Sequence, residues 1–210
     1  MSTESNEGSL LSGVTSFINR KILRTDKSRW NYQYQKGLWN GLENMDELAR
    51  FSVIGGYVQY LKPDQPAILE IGCGEGILSQ RIGKPHYGYF EGTDVADAAI
   101  ANAQQRYGDD KTYFHAVDMN EYRSDKKFDI IIFNEAIYYL RPMAEKLVSM
   151  YAPLLKEDGL LIISMNTGRH ADSKERWAQI ATAFETLDST FVETSKNGWD
   201  IKVLKPVSKA

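Results

Sequence analysis

The chain has 210 residues, of which 42% are hydrophobic and 25% charged, with a formal net charge of −3. That length suits one domain whose core folds without disulfide or metal staples, and the single cysteine, Cys73, excludes an intrachain disulfide framework and a cysteine-cluster zinc site, so no metal is expected. The mildly acidic balance gives no general attraction for a nucleic-acid backbone or an anionic membrane, and no uncharged apolar run approaches the roughly 18–20 residues of a bilayer span.

Residues 1–9 are rich in Ser, Glu and Gly and are expected to be disordered. The start, MSTESNEGSL, lacks the basic and apolar runs of a secretion signal, which points to a cytoplasmic protein. Residues 10–62 read as a helical N-terminal extension. Its clearest helix spans 45–61, with Asn44 as N-cap, Glu47 completing a capping box, and Leu48, Phe51, Ile54, Val58 and Leu61 on one face. Gly55 and Gly56 weaken that helix by about 1 kcal/mol each unless another backbone packs there. Pro63 and Pro66 end it, and residues 63–210 read as the main domain.

From there strands and helices alternate: strand 67–71, helix 77–82, strand 87–94, helix 95–107, strands 112–118 and 128–134, helix 142–155, strand 160–165 and helix 171–184. Strands 190–194 and 199–206 close the chain around Asn197-Gly198, a hairpin signal. Apolar strands alternating with helices predict an α/β sandwich on a mostly parallel sheet, ending in an antiparallel pair. Ligands of such sheets bind beyond the carboxyl ends of the strands, where strand order reverses.

The strand ends carry the chemistry. ILEIGCGEG puts Glu70 ahead of Gly72, Gly74 and Gly76, and Asp94, Asp118 and Asn134-Glu135 close the next three strands. A dinucleotide fingerprint would need glycine at position 77, which is Ile77, and a triphosphate loop would need a lysine followed by Ser or Thr. S-adenosylmethionine instead has an ammonium, a ribose diol and an adenine. Glu70 suits the ammonium, the glycines admit backbone approach, Asp94 suits both ribose hydroxyls, and Asp118 the adenine amino group, with Met119 over the ring. Asp94 alone also reads as an N-cap, and Asp118 as a turn residue.

ILEIGCGEG, GTDVADAAIANA, AVDMNEY, FDIIIFNEAIYYL and LLKEDGLLIIS resemble, in order and spacing, the motifs of class I S-adenosylmethionine-dependent methyltransferases, from about Ala67 onward. The resemblance implies a Rossmann-like three-layer fold with a seven-stranded, mostly parallel sheet whose last strand is antiparallel. It implies S-adenosyl-L-methionine as cofactor, with contacts at Glu70, Gly72, Cys73, Gly74, Asp94, Val95, Asp118, Met119 and Asn134. Gly76 serves the turn.

Methyl transfer needs an acceptor held in line with the methyl group, away from water, and a general base where the acceptor carries a proton. Glu135 and Tyr138, with neighbouring Tyr139, face the acceptor side in this family, and His170 in MNTGRH reads either as a base or as a loop histidine. The chain has Asn-Glu-Ala-Ile where methyltransferases of base amino groups carry Asn/Asp-Pro-Pro-aromatic, and it lacks a basic, aromatic-interleaved stripe. A small-molecule acceptor is therefore expected, with no nucleic-acid or membrane partner and a monomeric or homodimeric state. Trp30, Tyr32, Tyr34 and Trp39 form either a lid over the cofactor or an edge-packed helix. Their segment is also similar to the start of small methyltransferases of surface-polysaccharide or natural-product sugar assembly, which implies a sugar-type acceptor. The competing readings are a nicotinamide-dependent oxidoreductase and a non-catalytic domain that keeps the fold.

Overall fold

A computed structural model of the chain describes residues 26–168 and 172–207. The predicted disorder of residues 1–9, the first part of the helical extension and His170 lie outside the described residues. Among the described residues, two α-helices precede the sheet: α1 (Asp26–Gln35) and α2 (Met45–Leu61). Then follow β1 (Ala67–Ile71), α3 (Ile77–Ile82), β2 (Tyr89–Asp94), α4 (Asp97–Tyr107), β3 (Thr112–Ala116) and β4 (Phe128–Asn134). A helical run opens with α5 (Met143–Lys146) and continues through a π turn and a 3-10 turn to Leu154. The last elements are β5 (Leu155–Asn166), α6 (Ser173–Ile180), β6 (Phe184–Glu193) and β7 (Gly198–Pro206).

The strands form one seven-stranded sheet in the order β3-β2-β1-β4-β5-β7-β6. The β1–β2, β1–β4, β2–β3 and β4–β5 pairs are parallel, and β7 runs antiparallel to both β5 and β6. β4 shows why the sheet is a sandwich. Ile130 and Ile132 pack on one face with Phe51, Ile54 and Val58 of α2, while Ile131 and Phe133 pack on the other with Leu147 and Tyr151. An apolar run buried on both faces can only sit between two helical layers.

Four expectations are corrected. Asn44 makes no side-chain cap, and Glu47 turns to Arg50 instead of completing a capping box. The third strand stops at Ala116, so Asp118 lies in the following turn, where its Oδ1 accepts the Asn120 N–H at 2.8 Å. The predicted strand 160–165 is part of a longer one that begins at Leu155, bulged against β4 between Phe128 and Ile130. The predicted helix 171–184 ends at Ile180: Trp177, Ile180 and Phe184 keep helical spacing, yet Phe184 is buried as the first residue of β6, paired with Pro206.

Gly55 lies against the carboxyl end of α3, where an added Cβ would sit 3.7 Å from the Arg81 carbonyl oxygen. Gly56 is exposed and an added Cβ there meets nothing within 4 Å. Gly56→Ala is therefore expected to stabilise the chain by about 0.5–1 kcal/mol, by restricting the unfolded backbone. A thermal melt should show a rise of about 1–4 °C.

Candidate functional site

The site lies where the strand order reverses, between β1 and β4, beyond their carboxyl ends. The turn after β1 is pinned to β2 by two bonds: the Thr93 carbonyl accepts the N–H groups of Gly72 (2.7 Å) and Cys73 (2.9 Å). Gly72 has φ +74°, and a Cβ there would come within 2.5 Å of the Ala136 Cβ beyond the end of β4. Gly74 has φ +54°, and its added Cβ would lie 2.7 Å from the Tyr34 hydroxyl. Glycine is required at both positions because the left-handed backbone and the close neighbour each disfavour a side chain. Gly76, with φ +78°, lies in the turn, where its N–H donates to the Cys73 carbonyl at 3.0 Å, and it is backed by Phe114 and Ala103.

One cleft is lined by Glu70, Gly72, Cys73, Gly74, Asp94, Val95, Asp118, Met119 and Asn134, and also by Glu135 and Tyr138. The described residues among the sequence-derived candidates thus converge on a single space. Asp94 holds the glycine turn: its Oδ2 accepts the Gly74 N–H at 3.0 Å and its Oδ1 the Ala96 N–H at 2.9 Å. Burial pushes the Asp94 carboxyl above its ordinary pKa, against the lowering effect of those amides. Each oxygen keeps a further lone pair for a ligand. His86 and His115 are exposed and outside the cleft, and Asp129 anchors the Ala67 N–H and Lys156, a structural role.

Glu70 is fully buried, and its Oε2 has no hydrogen-bond partner in the protein. Burial raises its pKa to about 8, despite the lowering effects of Arg50 and Asn134. Glu135 follows β4 with φ +62°, a left-handed conformation that non-glycine residues seldom adopt. Its Oε1 accepts the Ser164 hydroxyl at 3.2 Å, and the Tyr138 hydroxyl lies 3.3–3.4 Å from both carboxylate oxygens. Burial lifts its pKa to about 7, with Arg50, Ser164 and Tyr138 opposing and Glu47 adding to the rise.

Two members of the site were missed as such in the sequence. Arg50, on α2, is buried; it donates to Glu47 Oε2 at 2.9 Å and to Asn134 Oδ1, and packs on the rings of Phe51 and Trp199. The signal was Glu47 three residues ahead of an arginine on a helix face. Ser164, on β5 beside Asn134, places its hydroxyl 3.1 Å from Asn134 Oδ1 and 3.2 Å from Glu135 Oε1. A hydroxyl has one proton, so it serves one of the two at a time.

Part of the aromatic segment lies along the cleft. Trp30, Tyr34 and Trp39 line the cleft, whereas Tyr32 does not. Trp30 packs on Trp39 at 5.6 Å and edge-on against Tyr139 at 5.3 Å, so a ring from α1 meets a ring from beyond β4. α1 is docked on α4 through Lys27–Asp97 at 2.9 Å and through Asn31, whose side-chain oxygen accepts the Ala98 N–H at 2.9 Å. That N–H is one of the first-turn donors a helix leaves unsatisfied.

Residues 69–161 match the family model described as a methyltransferase domain. The chain is 30% identical over 119 residues to a malonyl-[acyl-carrier protein] O-methyltransferase of Bacillus cereus, covering 56% of this chain and 43% of that protein. It is 28% identical over 139 residues to nodulation protein S of Sinorhizobium fredii, covering 61% of this chain and 60% of that one. It thus spans less than half the length of the malonyl-[acyl-carrier protein] relative. Among solved structures, N-methyltransferase NodS of Bradyrhizobium japonicum, in complex with S-adenosyl-L-homocysteine, has the same fold (TM-score 0.68, 18% identity, 85% of this chain and 99% of that one). So does magnesium protoporphyrin IX methyltransferase of Synechocystis (TM-score 0.65, 17% identity, 89% and 98%). Five motifs in register, the strand order, the glycine turn and these matches agree: residues 69–161 match a methyltransferase domain, and the chain has the fold and motif order of class I S-adenosylmethionine-dependent methyltransferases.

Proposed function

We propose that the protein transfers the methyl group of S-adenosylmethionine to an oxygen or nitrogen atom of a small-molecule or sugar-type acceptor. The observation that carries this reading is the buried Glu70 oxygen without a protein partner, facing a cleft floored by Gly72 and Gly74. A buried carboxylate oxygen left without a donor is costly, and an ammonium group supplies the donor and the charge. The residues fit the cofactor: Glu70 for its ammonium, Asp94 for the ribose diol, Asp118 and Met119 for the adenine, and Val95 and Cys73 along its length. When bound, the cofactor supplies a methyl group already electrophilic on sulfur. Trp30, Tyr34 and Trp39 exclude water, and Glu135, oriented by Ser164 and Tyr138, accepts the acceptor's proton.

Calorimetry with S-adenosylmethionine, its demethylated product and NAD tests the reading. The first two are expected to bind and NAD is not; NAD binding without the sulfonium ligand would overturn it. Asp94→Ala should weaken cofactor binding by about 1–3 kcal/mol, the worth of hydrogen bonds to a charged group. An unchanged affinity would leave Asp94 as a brace of the glycine turn only.

Glu70 predicts a proton linkage. Its pKa of about 8 in the ligand-free protein leaves it mostly protonated at pH 7, and an ammonium partner stabilises the ionised form. Cofactor binding at pH 7 should therefore release most of one proton, read as a dependence of the calorimetric heat on the buffer's ionisation enthalpy. The same raised pKa means the folded chain holds this proton more tightly than the unfolded one. Ligand-free stability should then fall as pH rises from the ordinary glutamate range through about 8, and urea unfolding at pH 6 and pH 9 measures it.

A further inference from the structure

Resting on the methyltransferase reading, we propose that the acceptor is an amine, held as its ammonium ion between the carboxylates of Glu47 and Glu135 and methylated on nitrogen. Glu47 reaches the cleft from α2 and Glu135 from the end of β4, and both face the Arg50 guanidinium. Three acceptor chemistries can be weighed against this arrangement.

A carboxylate acceptor would stand against like charges. Among the described residues lining the cleft, Glu47, Glu70, Glu75, Asp94, Asp118 and Glu135 are acidic and Arg50 alone is basic, with its guanidinium bonded to Glu47 and Asn134. A carboxylate is also a nucleophile at neutral pH without any base, which would leave Glu135 with no task. An alcohol carries a proton far less acidic than a carboxylic acid that titrates near neutrality, so the transfer is poorly matched. An alkyl ammonium, with a pKa of about 8–10, gives its proton to such a group at modest cost. The aromatic residues Trp30 and Trp39 also line the cleft, and aromatic rings attract a cation placed over them.

The step balances. The ammonium passes one proton to the Glu135 carboxylate, and the freed lone pair forms the N–C bond with the methyl carbon. The C–S bond breaks with its electron pair staying on sulfur, which becomes a neutral thioether. The product leaves as a methylammonium ion, and Glu135 returns its proton to solvent. The charged and titratable groups facing Glu135 are Arg50 and Glu47 from α2 and Tyr138 after β4, with Ser164 of β5 hydrogen-bonded to it. The body of the acceptor has room in an adjoining hollow between the end of β5 and the β6–β7 hairpin, which shares Asn166 and Asn197 with the cleft and is lined by Thr167, Thr194 and the exposed ring of Phe191.

The test uses the full chain, methyl-labelled S-adenosylmethionine and matched acceptors: glucosamine and putrescine against N-acetylglucosamine, glucose and malonate. Label is expected on the nitrogen of at least one amine, with about tenfold less, or none, on the other three. Preferential labelling of glucose or malonate overturns the proposal, as does labelling of neither amine by a protein that binds S-adenosylmethionine; both outcomes leave the methyltransferase reading standing. Failure to bind S-adenosylmethionine and its product overturns that reading as well. Glu47→Gln is expected to raise the KM for the labelled amine about tenfold or more, as loss of a charged hydrogen bond does, with kcat and cofactor affinity little changed. An unchanged KM overturns the two-carboxylate cradle.

Discussion

Glu135→Gln is expected to lower kcat by about 10²–10⁴-fold, the usual worth of a positioned general base, while leaving cofactor affinity within about twofold. Glutamine is close in shape and keeps an oxygen to accept the Ser164 hydroxyl, so the left-handed backbone at position 135 is undisturbed. In the parent protein the rate should rise with pH through about 7, as the buried carboxyl loses its proton, and then level off. The variant should lack that rise. Ser164→Ala should shift the same limb to higher pH, because it removes a donor that favours the ionised form, and Ser164→Thr should restore it. A full-rate, pH-responsive Glu135→Gln protein would transfer the role of base to another residue.

The second large effect belongs to Arg50. Arg50→Leu should destabilise the chain by about 3–5 kcal/mol, measured by urea unfolding at pH 8, because it strands Glu47 and removes a cation that both Glu70 and Glu135 feel. The loss should shrink at pH 5, where those carboxyls accept protons readily. Arg50→Lys keeps the charge but not the planar fork that reaches Glu47 and Asn134 together, so an intermediate loss is expected. Equal stability of the leucine variant and the parent at pH 8 would show that the pair contributes nothing net.

Local signals served well where a short segment decides its own structure. α2, β1, α3 and β4 occupy the residues expected of them, because prolines, glycines and continuous apolar runs mark their ends. The failures come from partners remote in sequence. Arg50 stands among polar positions of a helix, and only Asn134, 84 residues away, shows why it is buried. Glu47 has the spacing of a capping box, but a buried guanidinium competes for it more strongly than a backbone N–H. Phe184 fits the helical stripe of Trp177 and Ile180, yet the antiparallel β7 claims it. The cleft-lining carboxylates were visible because strands ending in acids are conspicuous, whereas Ser164 lies inside an apolar strand and is recognised only by what pairs beside it.

The clustering of indole rings along the cleft has a practical consequence. The chain has four tryptophans, and Trp30, Trp39 and Trp199 line the cleft while Trp177 packs in the opposite half of the core. Intrinsic fluorescence is thus weighted toward the site without any attached dye. Ligand binding beside Trp30 and Trp39 should change emission intensity and wavelength, so binding and release can be followed in real time on the unlabelled protein.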